Sequence, residues 1–309
     1  MLLKQVIEVY DLLDRANASG NSVKKYMEEL GAKNVEVNSF HGDKGSTDFI
    51  RIKIAGSKGK MSGGNAPTIA ILGRLGGLGA RPDLIGFVSD GDGALAALAV
   101  AAKLLEMNNY GDQLEGDVVV CTHICPDAPT QEHDPVPFMD SPVDIQTVNK
   151  AEVDGDYDAI LSVDTTKGNR VINARGFAIS ATVKEGYILK VSEDLLNIMQ
   201  TTTGQLPKVF PITTQDITPY GNDVDHINSI LQPATATEAP VVGVAIITET
   251  AVAGCATGAT HFIDVEGAAR FMLEVAKYYG KNKCSFYDKE EYELLVKKYG
   301  SMKHLQELR

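Results

Sequence analysis

An aspartate, a histidine and a second aspartate each close an apolar run in this chain: LIGFVSD at 84–90, DVVVCTH at 117–123 and DAILSVD at 158–164. Runs of this kind read as buried strands, and open α/β sheets bind ligands outside the carboxyl ends of parallel strands. Asp90, His123 and Asp164 gathered on one sheet edge would supply carboxylate and imidazole groups for a divalent cation or for proton transfer. Each also has an ordinary structural reading. Asp90 or Asp92 can cap the Ala-rich helix that follows, His123 can be a hydrogen-bonded strand-end side chain, and Asp164 can pair with Lys167 or neighbouring amides, since a bare buried carboxylate is costly.

Other polar positions cluster in loops. Arg74 and Arg81 lie in GRLGGLGARP, which lacks both nucleotide-binding glycine spacings and suits a carboxylate or subunit contact, because guanidinium binds planar anions in two-pronged fashion. His261 stands between a strand and the amphipathic stretch DVEGAARFMLEVAKYY, and Tyr220-Gly221-Asn222-Asp223 forms a further polar turn. The four cysteines are scattered in a way that fits reduced core thiols rather than a disulfide framework. Cys125 and Cys255, each in a Gly- or Pro-marked loop after a strand, also allow a paired-thiol proton-transfer reading.

The elements that must hold these residues follow from pattern. Residues 2–16 and SVKKYMEELGA repeat at helical spacing, and NVEVNSF and DFIRIKI read as short strands. PTIAILGR, 84–88, 117–122, 158–163 and PVVGVAIIT read as buried strands, VFPIT near 209–213 as a shorter one, and 192–201 and Asp264 to Tyr279 as helices. The acidic, Pro-rich stretch 125–145 is long enough to be a lid or a subunit contact in a homo-oligomer. The chain therefore reads as one α/β domain over 1–309, with an N-terminal helical segment 1–32, a mainly parallel or mixed sheet flanked by helices, and a peripheral C-terminal helix at 286–309.

A net charge of −12 disfavours nucleic acid and anionic membrane surfaces, which need basic patches, and favours a small-molecule or short-peptide ligand. The opening MLLK starts an amphipathic helix rather than a cleavable signal, and no apolar run reaches bilayer length, so a cytoplasmic location is expected.

The phrases GRLGGLGARPDLIGFVSDGDGA, THICPDAPTQEHDPVPFMDSPVD, ILSVDTTKGN and TTQDITPYGN resemble the bacterial family labelled domain of unknown function 1177, over nearly the whole chain. More distantly, the order of strand, Asp-x-x-Gly helix, strand ending in Val-Asp and late His is similar to the zinc aminopeptidases and deacylases of the phosphorylase/hydrolase-like fold. That resemblance implies Asp90 as a bridging carboxylate, Asp164 as a terminal metal ligand and His261 as the last histidine ligand. The chain departs from the pattern where those enzymes carry His-x-Asp, having Arg74-Leu75-Gly76, and where they carry Glu-Glu, having His123 and Ile-Cys-Pro-Asp.

The expectation is thus a metal-assisted hydrolase, or a related enzyme, acting on a small amide, peptide or amino-acid derivative. One divalent cation, zinc by resemblance, would be held by Asp90, Asp164, His261 and His123, with His123 as base or ligand. Arg74, Arg81 and Lys167 would hold the substrate. A catalytically silent ligand-binding or scaffold protein is the alternative, and a racemase or isomerase using Cys125 and Cys255 the second alternative.

Overall fold

The computed structural model describes residues 1–212 and 227–306. The elements run α1 (Leu3–Leu13), α2 (Gly20–Glu29), β1 (Val35–Gly42), β2 (Gly45–Ile54), β3 (Thr68–Gly73), α3 (Asp92–Asn109), β4 (Asp117–Ile124), β5 (Thr130–Gln131) and β6 (Phe138–Met139). Then come α4 (Ile145–Val153), β7 (Ala159–Thr166), β8 (Gly176–Ile179), β9 (Val183–Lys184), β10 (Tyr187–Ile188), α5 (Glu193–Thr203), β11 (Val241–Ile247), α6 (Phe262–Tyr279) and α7 (Lys289–Tyr299).

One mixed sheet organises them in the order β1-β2-β4-β3-β7-β11-β9-β10, with β8 also on β11. The four inner strands β4, β3, β7 and β11 are parallel. They are the near-continuously apolar segments, as strands covered on both faces must be. The hairpin β1–β2 and the short strands β8 to β10 add antiparallel flanks.

On one face, α1, α3, α5 and α6 pack over Ile71, Val120, Leu161, Val163 and Val244. The other face carries Leu72, Val119, Ile160 and Ala245 under a 3-10 segment at Ser229–Thr235, Phe210 and Ile230, while α4 covers Phe49 through Val148. Helix α3 is buried almost all round and can ride close to β3 because both surfaces are small: a Cβ at Gly73 would sit 2.8 Å from that of Ala97. Helix α7 buries no residue, as a peripheral charged helix should.

Three expectations need correction. Segment 84–88 is not a strand. Gly86, at φ +119, interrupts it, Ile85 is 83% exposed, and only Val88 makes a bridge, to Thr257. A covered loop therefore leads from β3 through a 3-10 turn at Ser89–Gly91 into α3. Neither Asp90 nor Asp92 caps α3, whose N-cap is Gly91 with no side-chain cap bond, because both carboxylates turn toward β7 and the loop after β11. Around 209–213, Val209 makes an isolated bridge to Ile179 rather than a strand; residue 213 and the turn Tyr220–Asp223 lie outside the described residues.

Candidate functional site

The carboxyl ends of β4, β3 and β7 bring the sequence-predicted residues into two groups, one on each face of the sheet. Parity decides which is which. Thr122, Gly73 and Val163 are paired across the three strands, so His123, Arg74 and Asp164 form the next row and point to the α4 face, as Ala245 beside Asp164 does. Thr165 points to the opposite face, and β7 ends one residue later at Thr166.

On the α4 face, His123 is 1% exposed and both its ring nitrogens are engaged. The Gly76 amide donates to Nε2 at 3.0 Å, so Nδ1 carries the proton and donates to Thr47 Oγ1 at 2.9 Å; that hydroxyl donates onward to the Ile124 carbonyl. The ring stacks on Phe49 at 5.0 Å. Burial, with the Arg74 charge adding to it, pushes its pKa down to about 3.

Arg74 beside it is fully buried. It donates to the Ser229 carbonyl at 2.8 Å and Asn149 Oδ1 at 2.9 Å, and its Nε lies 3.2 Å from Glu152 Oε2. That pair is close but poorly aligned: neither Glu152 oxygen nor Arg74 Nε makes a hydrogen bond of good geometry. Burial raises the Glu152 carboxyl to about 7 against the pull of Arg74. Glu152 carried no signal in the sequence.

On the α3 face lies a different cluster. Asp90, 6% exposed, accepts from Thr165 Oγ1 at 2.8 Å and from the Met139 amide at 3.3 Å. Its own amide donates to the Gly254 carbonyl, and a Cβ at Gly254 would meet Asp90 Oδ2 at 1.9 Å, so that glycine is required for the loop to lie on the carboxylate. Asp92, 2% exposed, accepts from Thr260 Oγ1 at 2.7 Å. Burial lifts its pKa to about 7 although the Lys167 ammonium opposes the rise, and Asp90 and Asp264 add to it.

Lys167 is itself only 4% exposed. His261 is exposed at the N-cap of α6, next to Thr260. Asp264 in the first turn of α6 lies 3.7 Å from Arg175.

The expected cation set is not assembled by this arrangement. Asp164 faces away from Asp90, its Oδ1 accepting from the Thr165 amide at 2.7 Å, and His123 is on the Asp164 side with no free nitrogen. Among the described residues no three His, Cys, Asp or Glu side chains are grouped as ligands of one ion.

Arg74 belongs to the buried pair with Glu152, where no substrate carboxylate reaches it, and Arg81 donates to the Asp14 carbonyl at the end of α1. Of the expected substrate residues, Lys167 alone acts on the α3-face cluster, through its charge on Asp92. Cys125 and Cys255 share an apolar cluster with Ala80, Val88, Ala128 and Met139, and burial raises both thiols, Cys125 to about 11, away from the thiolate a two-base reaction needs.

Asp92, Thr165, Thr260 and Gly254 were missed as site residues. Alternation along β7 would have separated Asp164 from Thr165. In the stretch 125–145, β5 and β6 pair, Phe138 and Met139 are buried, and Asp140 pairs with Lys44. The described cavities, about 380 Å³ between α5 and α6 and about 320 Å³ beside Cys125 and Asp48, include none of Asp90, Asp92 and Lys167.

Parallel strands under a buried polar cluster at the N-terminus of α3 define an α/β protein of aminopeptidase-like fold. The bottromycin maturation enzyme BotP, solved in complex with Mn, is similar at 11% identity and TM-score 0.53, covering 88% of this chain and 70% of that one. A leucine aminopeptidase (LAP1) of Caenorhabditis elegans is similar at 13% identity and TM-score 0.50, covering 92% of this chain and 66% of that one. The chain thus spans about two thirds of the length of these solved proteins. It belongs to the family described as Protein of unknown function (DUF1177), whose profile matches residues 38–309. No curated protein matches it. No described helix is long and apolar enough to cross a membrane.

Proposed function

We propose that this protein binds a small amide, peptide or amino-acid derivative through its free amino group, in the cluster formed by Asp90, Asp92, Lys167 and Asp264. The observation that carries the reading is the charge imbalance of that buried cluster. Burial above all leaves the Asp92 carboxyl near pKa 7, with Asp90 and Asp264 adding to the rise and the Lys167 ammonium opposing it, while Asp264 has Arg175 at 3.7 Å. A ligand ammonium would supply the missing charge, with the Thr165 and Thr260 hydroxyls fixing its carboxylate partners.

Thermal-shift titration tests this with L-leucinamide against N-acetyl-L-leucinamide. The free amine is expected to bind at least about tenfold tighter, roughly 1.4 kcal/mol. Equal affinity, or no binding of either, rejects the reading.

A second reading keeps hydrolysis assisted by one divalent metal on Asp90, Asp164, His261 and His123, and is favoured by the fold shared with BotP, which was solved with Mn. It requires β7 and the His123 network to rearrange. About one metal per chain in protein purified without chelator, together with release of ammonia from leucinamide, would support it.

A further inference from the structure

The cavity of about 380 Å³ between α5 and α6 has a lining of its own, away from Asp90 and Asp92. Asn197 and Thr201, four residues apart, line it from α5, and Arg270, Glu274 and Tyr278, at the same spacing, line it from α6. Lys283 adds an ammonium just past the end of α6. The first turn of α5 lies at that end, where Asp194 Oδ2 accepts from the Ser285 amide at 2.8 Å.

The charges of this lining are unevenly committed. The Glu274 carboxylate is held by Lys277, and Asp194 by the Ser285 amide. Arg270 reaches Glu266 through Nη2, at 3.3 Å, while its buried Nε–H has no hydrogen-bond partner. Among the described residues the Lys283 ammonium makes no ion pair, and the Asn197 amide and Tyr278 hydroxyl make no hydrogen bond. Guanidinium and ammonium groups can only donate. The groups left over are therefore mainly donors, two of them cationic, and an anion is what would satisfy them. Ile198 and the Tyr278 ring supply apolar surface in the same cavity.

We infer that this groove binds a small organic carboxylate of amino-acid size, its charge met by Arg270 and Lys283 and its apolar part by Ile198 and Tyr278. The site is distinct from the amine site proposed at Asp92 and does not rest on it.

Isothermal titration of the full chain tests this with N-acetyl-L-leucine against N-acetyl-L-leucinamide. The two share a shape, only the first carries a carboxylate, and neither has a free amine. The acid is expected to bind at least about tenfold tighter, and to weaken when NaCl is raised from about 0.05 to about 0.5 M. Arg270→Gln and Lys283→Gln should each weaken the acid about five- to tenfold and leave the amide unchanged. The Arg270 side chain is 38% exposed and Lys283 is exposed, so both variants are expected to fold. Should Arg270→Gln fail to fold, Lys283→Gln and the wild-type comparison still decide.

Equal affinity for acid and amide, no binding of the acid, or acid binding that neither substitution weakens overturns the inference. L-leucinamide reads the other site, so amine recognition can fail while carboxylate binding stands, and the reverse.

Discussion

Replacing His123 by leucine separates a chemical histidine from a structural one. The substitution strands the Gly76 amide, costing about 1–3 kcal/mol for an unmet buried donor, removes the bond to Thr47, worth about 1 kcal/mol, and loses the Phe49 stack, worth about 0.5–1.5 kcal/mol. Leucine recovers part of the packing, so a loss of about 3–4 kcal/mol is expected at pH 8. The pH dependence gives a second, sharper signature. The ring titrates at about 3 in the folded chain and near 6.5 when unfolded, through burial first and the Arg74 charge second. A depressed histidine contributes stability in full above pH 6.5 and loses it as pH falls toward 3, by about 1.4 kcal/mol per unit. At pH 5 the wild type has lost about 2 kcal/mol from this site that His123→Leu cannot lose, so the gap between the two narrows to about 1–2 kcal/mol. Urea unfolding of both proteins at pH 8 and pH 5 measures it. A gap that is the same at both pH values refutes the neutral buried ring, and a fully stable variant that has lost turnover would return His123 to catalysis.

Asp92→Asn is expected to be more stable than wild type at pH 8, because the folded chain holds that proton to about 7 while the unfolded chain releases it near 3.8; the gain should vanish on lowering the pH to 4, and amine binding should weaken. Arg74→Met, which leaves Glu152 buried without its cation, should cost about 3–5 kcal/mol by chemical denaturation, and adding Glu152→Leu should restore part of that loss. Failure of the second change to help would mean that the bonds to Ser229 and Asn149, not the ion pair, hold this face. Gly254→Ala should cost about 1–3 kcal/mol, since its new methyl must push the loop off Asp90, and a wild-type Tm would show that the loop has room there.

The sheet was readable because β3, β4, β7 and β11 are apolar runs too uniform for half-exposed strands, and α3 and α6 announce themselves by composition and period. The site was half readable for a reason that lies in single residues. Asp90 and Asp164 were both chosen for charge after apolar segments, but it is Thr165 that bonds Asp90, and one step of strand alternation puts Asp164 on the other face. Segment 84–88 failed because its apolar residues belong to a loop turned outward at Leu84 and Ile85 and inward at Phe87 and Val88. Arg74 and Glu152 are 78 positions apart, and only the packing of α4 against the sheet joins them.

The hairpin of β5 and β6 lies over Asp90, its Met139 amide bonded to that carboxylate and Asp140 tied to Lys44 on the β1–β2 turn. With the Gly254 loop covering the other side, an amine bound as proposed would reach Asp90 only after the hairpin lifts. Association then follows a gate: the observed rate should level off as ligand concentration rises, at the frequency with which the Met139 bond opens, and complexes once formed should be long-lived relative to their affinity. Weakening the latch at Lys44 would speed both arrival and departure while leaving the equilibrium nearly where it was.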